Sequence, residues 1–317
     1  MTASVSLSSL RPPVHPGGVN VRTTTLLTGV CGRGARVALA SAMISLLVSG
    51  SALAQAPTSD PNLGALTFTG GLDVPTIYFF RGIRQEVKPS ITLWPYGDIG
   101  LALFSGAGVM KSVGVNFGVW NSLQTGSSGS KGPTARLHYQ EDFYTTLALG
   151  FGGGVGLATT FTARTSPNGI FTTIREMSLK LTKAHMGNPY GLVAFELSDK
   201  GQADSGSRKG TYLELGAGPS WALGKDGPVL TIPLKVGLSL KNYYESGAVD
   251  NKFGFFDVGG LLTVPLKMVP GRFGSWNIHG GADVLVFGAT TKLLNVNAAG
   301  EVKKSQVVGL VGIGLRY

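Results

Sequence analysis

Residues 230–241 read LTIPLKVGLSLK and alternate strictly in character along the chain. Every even-numbered residue is Leu, Ile or Val, and every odd-numbered residue is Thr, Pro, Lys, Gly or Ser. A period of two places these two sets on opposite faces of one β-strand. Twelve residues exceed the roughly 5–6 of an ordinary globular strand and satisfy the roughly 9–11 that a membrane-spanning strand needs. The stretch therefore predicts a strand that crosses a bilayer.

The same alternation recurs along the chain. The twelve segments that show it lie near residues 65–81, 90–104, 112–121, 136–150, 154–165, 171–184, 190–198, 211–223, 228–243, 252–267, 274–288 and 305–317. An even strand number, with short Gly/Pro turns alternating with longer polar loops, is typical of bacterial outer-membrane barrels. The predicted fold class is all-β, a transmembrane antiparallel up-and-down β-barrel of about 12 strands. Both chain ends then fall on the periplasmic side.

The N-terminal region has the pattern of an export signal. Residues 1–36 contain arginines and no acid, residues 37–48 are apolar, and an A-x-A sequence ends at Ala54. These features predict a secretory signal peptide over residues 1–54. A short periplasmic segment, residues 55–64, and the barrel, residues 65–317, would follow. The expected location is the outer membrane of a Gram-negative bacterium, with membrane lipid as a partner.

The composition agrees with a sheet that faces lipid. The 317 residues include 48 glycines, and 14% of them are charged, against a typical share of about 25%. The rival fold, a secreted protein of two packed sheets, would bury its apolar face and expose its polar one. No Lys/Arg run is present, so nucleic acid is not an expected partner. Composition leaves the oligomeric state open.

The polar face of each segment is predicted to line the lumen. The predicted lumen-lining residues are Arg81, Asp98, Asp142, Arg164, Glu176, Lys180, Glu196, Glu214, Lys235, Lys241, Asp257, His279, Asp283 and Arg316. Acids and bases nearly balance, so no single-sign field selects one kind of ion. Opposed charges either pair and narrow the lumen or line a small wet pore. Arg81 is expected to pair with Glu176 or Asp142, and the sequence does not rank them.

Aromatic residues near strand ends predict two belts at the membrane surfaces. Tyr78, Phe80, Tyr139 and Phe256 are assigned to the outer belt, and Phe151, Trp221 and Tyr317 to the inner belt. The chain ends on Tyr317, and many outer-membrane proteins end on an aromatic residue. The last strand is therefore expected to be recognised by the outer-membrane assembly machinery.

No pattern for catalysis emerges. His138 and His279 have lumenal parity, and neither is followed by a serine two residues on, as the Ser–His pair of barrel phospholipases would require. No His, Asp or Glu set has metal-ligand spacing, and no cofactor is expected. The chain is expected not to be an enzyme. The favoured function is passive diffusion of small hydrophilic solutes. The alternatives are a closed barrel, structural or binding through its loops, and a lipid-active enzyme.

Residues 76–85, TIYFFRGIRQ, resemble a family of proposed outer-membrane porins known as the TorF family. Its members carry a strand end like S-D-Y-x-F-R-G-x-S-Q early in the mature chain. The residues that match are Tyr78, Phe80, Arg81, Gly82 and Gln85, and the departures are Ile77 and Arg84. The resemblance implies a porin-like outer-membrane barrel and leaves its solute undefined.

Overall fold

The computed structural model describes residues 65–86, 89–126, 137–198, 208–246, 249–297 and 299–317. The predicted signal peptide, residues 1–54, and periplasmic segment, residues 55–64, lie outside them. Within the described residues, twelve antiparallel strands form one closed barrel, which confirms the predicted fold class. They are β1 Leu66–Pro75, β2 Thr92–Ser105, β3 Met110–Gln124, β4 His138–Phe151, β5 Val155–Thr165, β6 Ile174–Lys183, β7 Tyr190–Glu196, β8 Thr211–Ala217 with Ser220–Ala222, β9 Val229–Thr231 with Leu234–Lys241, β10 Phe253–Pro265, β11 Ser275–Phe287 and β12 Ser305–Arg316.

Each strand pairs with the next along the chain, and β1 pairs with β12 to close the barrel. Pro219 and Pro233 interrupt β8 and β9, because proline has no N–H to donate to the ladder. The pairing of Ala217 with Leu234 and of Ser220 with Thr231 keeps one register across both breaks. These interruptions therefore leave the barrel closed.

The two ends of the barrel differ. At the short-turn end the connections are residues 106–109, 152–154, 184–189, 223–228 and 266–274, which include the 3-10 turns Gly152–Gly154 and Gly271–Phe273. At the long-loop end they are residues 76–91, 125–137, 166–173, 197–210, 242–252 and 288–304. Two small hairpins, Phe79–Phe80 with Ile83–Arg84 and Glu245–Ser246 with Val249–Asp250, and helix α1, Ala289–Leu294, lie in these loops. In the described part of the chain, no helix is both long and apolar enough to traverse a membrane.

The distribution of polar residues is the reverse of that in a soluble sheet protein. Phe117, Phe143 and Val307 are at least half exposed on the outer wall. Asp98 and Glu176, by contrast, are buried inside. The barrel therefore presents a broad apolar surface outward and keeps its charges within.

The glycines of the inner wall leave room for side chains of the adjacent strand. A Cβ on Gly118 would lie 2.1 Å from Cζ of its cross-strand partner Tyr144. A Cβ on Gly216 would lie 2.4 Å from the ring of its partner Tyr190. The tyrosine rings occupy the space that these glycines leave free.

Candidate functional site: a hairpin docked in the lumen

The first loop enters the barrel. We call residues 77–86 the plug hairpin. In it Phe79 pairs with Arg84, and Phe80 pairs with Ile83. The two turn residues, Arg81 and Gly82, have φ of 46° and 78°, as a two-residue type I′ turn requires. The sequence Arg-Gly is thus the turn of a tight hairpin.

This hairpin corrects the predicted first strand. The alternation predicts a strand to residue 81, with Tyr78 and Phe80 on the outer belt, but β1 ends at Pro75. Tyr78 and Phe80 are fully buried, so their assignment to the outer belt is wrong. Side chains alternate between the two faces only while the chain stays in the sheet. Here the chain leaves the sheet and turns inward.

Aromatic contacts hold the plug hairpin on several sides of the barrel. The Tyr78 ring lies 5.2 Å from Trp94 of β2 and 5.6 Å from Trp120 of β3. On another side, the Phe79 ring stacks on Phe287 of β11 with centroids 5.4 Å apart. Such aromatic pairs stabilise a contact by about 0.5–1.5 kcal/mol beyond their buried area. Because β2, β3 and β11 all contact it, the hairpin extends across the lumen.

Buried charges form a network that begins and ends on the hairpin. Arg81 donates hydrogen bonds of 2.6 and 2.8 Å to the two carboxylate oxygens of Glu176 on β6. Glu176 also accepts from Arg164 at 3.2 Å, and Arg164 Nε lies 3.4 Å from Asp142 Oδ2. Asp142 accepts from Gln140, and the Gln140 oxygen accepts from the Tyr78 hydroxyl. Glu176 is therefore the direct partner of Arg81, and Asp142 is reached through Arg164.

The Arg81 guanidinium is also enclosed by aromatic rings. It lies 4.1 Å from the centroid of Tyr212 and 4.8 Å from that of Phe80, and it donates a hydrogen bond of 2.7 Å to the Tyr243 hydroxyl. Burial acts to lower the pKa of Arg81, but the charge and hydrogen bonds of Glu176, together with Tyr243 and Tyr212, more than offset this and raise the pKa above its usual value. Arg81 is thus a charged, fully engaged anchor.

Further hydrogen bonds secure the base of the hairpin. Glu86 accepts from the Tyr78 N–H at 2.8 Å and from the Thr92 hydroxyl. The Asn295 amide, after α1, accepts from the Arg84 N–H at 2.8 Å and donates to the Gly82 carbonyl at 2.7 Å. Burial raises the pKa of Glu86, although these hydrogen bonds and the nearby Arg84 oppose the shift.

Further polar contacts line the inner wall outside this network. Lys235 on β9 pairs with Asp257 on β10 at 3.0 Å. Glu214 on β8 accepts hydrogen bonds from the Tyr190 and Tyr212 hydroxyls, at 2.8 and 2.6 Å. On the other side of the lumen, Asp98 accepts from Asn116 at 2.7 Å, and Asp73 lies 2.8 Å from His279 Nε2. Lys235 and Asp257 thus balance each other's charge, while Glu214 and Asp98 accept hydrogen bonds from neutral donors.

The structure places most of the predicted lumen residues inside the barrel, Arg81 on the plug hairpin and the others on the wall. Buried inward positions hold Arg81, Asp98, Asp142, Arg164, Glu176, Lys180, Glu196, Asp257 and Asp283, and less buried ones hold Glu214, Lys235, His279 and Arg316. Lys241 is different: it is exposed. A register shift pairs Thr211 with Lys241 but Tyr212 with Ser239, so the extra residue turns Lys241 outward.

A second shift corrects one more belt residue. The register of β3 and β4 changes between Ser122 and Leu123, next to Tyr139. Tyr139 is consequently fully buried, and its hydroxyl donates to Gln85 of the hairpin at 3.0 Å. The other predicted belt residues, Phe151, Trp221, Phe256 and Tyr317, are partly or well exposed on the outer wall.

Several residues of the site lie outside the barrel strands, so the alternation along a strand could not identify them. Tyr243 and Tyr244 lie just beyond β9, and the Tyr244 hydroxyl donates to the Arg81 carbonyl at 2.9 Å. Asn295 lies in the longest connection. An uncommon pair of adjacent tyrosines at a strand end was the one signal available for this contact.

The histidines have other roles than the Ser–His pair of the enzyme alternative. His138 lies 2.8 Å from the Asn121 side-chain oxygen, and His279 lies between Asp73 and Asn277. Among the described residues, neither is hydrogen-bonded to a serine. In the same ranges, no group of three or more His, Cys, Asp or Glu side chains is arranged to hold a metal ion.

Comparison with known proteins gives similarities of architecture. No family model matches the chain, and no curated protein matches it. Among solved structures, NanC porin is 8% identical, with 79% of this chain and 99% of that chain covered and a TM-score of 0.38. Outer membrane phospholipase A from Escherichia coli is 11% identical, with 78% and 92% covered and a TM-score of 0.42. KdgM porin is 7% identical, with 78% and 98% covered and a TM-score of 0.34. TM-scores this low do not establish a shared activity.

Proposed function

We propose that this chain is a bacterial outer-membrane barrel of porin type, which passes small hydrophilic solutes when the plug hairpin leaves its docked position. The outer wall supports the membrane location, since its exposed phenylalanine and valine side chains suit lipid and would be costly in water. The short-turn end would then face the periplasm and the long-loop end the cell exterior.

The observation that carries the proposal is the docking of the hairpin through Arg81 and Glu176. Residues 77–86 are a separate loop, joined to the wall by side-chain contacts rather than by the strand ladder. Barrels of about 8 strands are filled by side chains, and barrels of 16–18 strands hold an aqueous channel. The interior of a twelve-stranded barrel is intermediate in width, so one inserted loop decides whether solutes pass.

Single-channel recording in planar bilayers tests the proposal. The two variants are a chain with residues 77–86 replaced by a short Gly-Ser linker, and the double variant F79C/F287C. In F79C/F287C, a bifunctional maleimide cross-links the hairpin to the wall at two positions whose rings stack in the wild type. F79C alone is the control. We expect rare openings in the wild type, steady conductance in the deletion variant, and loss of openings in the cross-linked protein.

Two results would overturn the proposal. If the wild type and the deletion variant conduct equally, the hairpin is not the barrier. If neither conducts, the barrel is closed and its loops or its structure carry the function, which is the main alternative. A heat-dependent shift in gel mobility of the outer-membrane fraction tests the barrel and its location separately.

A further inference from the structure

Lys180 carries a buried ammonium on the inner wall of the barrel. Its side chain lies on the inward face of β6, four residues nearer to the short-turn end than Glu176. The residue is 6% exposed, and Nζ has no hydrogen-bond partner among the described residues. Removing a charge from water without pairing it is costly, and a buried ammonium in a protein is ordinarily paired. An ammonium at this position that donates no hydrogen bond to the described residues therefore requires an explanation.

The neighbouring acids are engaged elsewhere. Both carboxylate oxygens of Glu214 accept hydrogen bonds from tyrosine hydroxyls, and Asp257 pairs with Lys235. The contact that the structure shows for Lys180 Nζ is the ring of Tyr190, whose centroid is 4.2 Å away. A cation over an aromatic face is attracted by the negative face of the ring, and the three N–H donors of the ammonium stay available to an acceptor.

We propose that Lys180 and Tyr190 form a binding site in the lumen for small organic monoanions that carry a carboxylate. The carboxylate would accept charge-assisted hydrogen bonds from the Lys180 ammonium. A monoanion balances this single charge. A dianion such as sulfate would leave excess negative charge near Glu214 and Asp257, so the site should disfavour it. The inference deepens the proposed solute pathway and rests on it, since it names a class of solute for that pathway.

Ligand-observed fluorine NMR tests the site independently of channel conductance. The probe is trifluoroacetate, with 2,2,2-trifluoroacetamide as its neutral counterpart, added to protein purified from membranes in detergent. We expect saturable line broadening of trifluoroacetate with the wild type and a Kd about tenfold weaker with K180Q, which corresponds to about 1.4 kcal/mol. K241Q removes the same charge from an exposed site on β9 and should bind as the wild type does.

Several outcomes would overturn the site: no binding beyond that of the amide, unchanged binding by K180Q, equal loss in K241Q, or preference for sulfate. Absence of binding would mean that lumenal water alone solvates Lys180. If K180Q fails to show the heat-dependent gel shift of a folded barrel, K180M, whose apolar chain also packs on Tyr190, replaces it under the same criteria. Binding without conductance would keep the anion site and reject the solute pathway, so the two failures are distinguishable.

Discussion

Arg81 and Glu176 are 95 residues apart in the chain, and two hydrogen bonds of 2.6 and 2.8 Å join the guanidinium of one to the carboxylate of the other. One residue lies on a loop and the other on the wall strand β6, so this bidentate contact fixes the position of the plug hairpin in the lumen. Bidentate pairs of this kind combine strength with a defined geometry.

Replacing Arg81 with alanine should release the hairpin. Loss of one partner from a buried ion pair costs about 3–5 kcal/mol, and we expect the lower part of this range because Glu176 keeps Arg164. Hydrogen exchange of the amides in residues 77–86 measures the release. R175A removes an exposed arginine from the adjacent position of β6 and should leave the exchange unchanged. Equal protection in R81A and the wild type would contradict the anchoring role.

Substitution of Gly82 with alanine should displace the turn from the wall. Gly82 has φ of 78°, and a Cβ there would lie 2.8 Å from Phe255 Cβ. The matched control is G169A, since Gly169 has φ of 72° but nothing within 4 Å of its added Cβ. Both variants carry the backbone strain, and G82A alone carries the clash. We expect faster proteolysis of the first loop in G82A only, and similar rates in the two variants would show that the close contact is unimportant.

Substitution of Gly118 with alanine should destabilise the barrel by overpacking. The added Cβ would meet the Tyr144 ring, and overpacking typically costs about 1–3 kcal/mol. The temperature of the gel-mobility shift should fall in G118A and recover in part in G118A/Y144A. Gly108 has nothing within 4 Å of an added Cβ, so G108A controls for the change of residue type. A shift temperature in G118A equal to that of the wild type would disprove the packing of Tyr144 on Gly118.

An arginine in place of Phe117 should impair membrane assembly. Phe117 is 50% exposed on the outer wall of β3, and arginine on the lipid face costs about 2–4 kcal/mol near the bilayer midplane. The amount of folded barrel in the outer-membrane fraction measures the effect. M268R places the same charge at an exposed turn of the short-turn end, where water is available. Equal yields of F117R and M268R would argue against lipid at the outer wall.

The strands themselves could be predicted from the sequence, because alternation every two residues follows from the covalent geometry of an extended chain. Each of the twelve predicted segments overlaps one barrel strand. Errors arose where the chain leaves the ladder. Tyr78 and Phe80 follow the end of β1 at Pro75. Tyr139 and Lys241 lie at register shifts, where the alternation of facing is broken.

The sequence by itself determined the barrel and, apart from Lys241, the charged residues that face its lumen. Tertiary structure decided which of those charges meet, and that the loop carrying Arg81 folds inward to them. Alternation along a strand indicates the face on which a side chain lies. Which side chains meet across the lumen depends on the registers of all the intervening strands and on the path of the loops. For that reason Glu176, rather than Asp142, is the partner of Arg81, and Lys180 is the buried cation whose Nζ has no hydrogen-bond partner among the described residues.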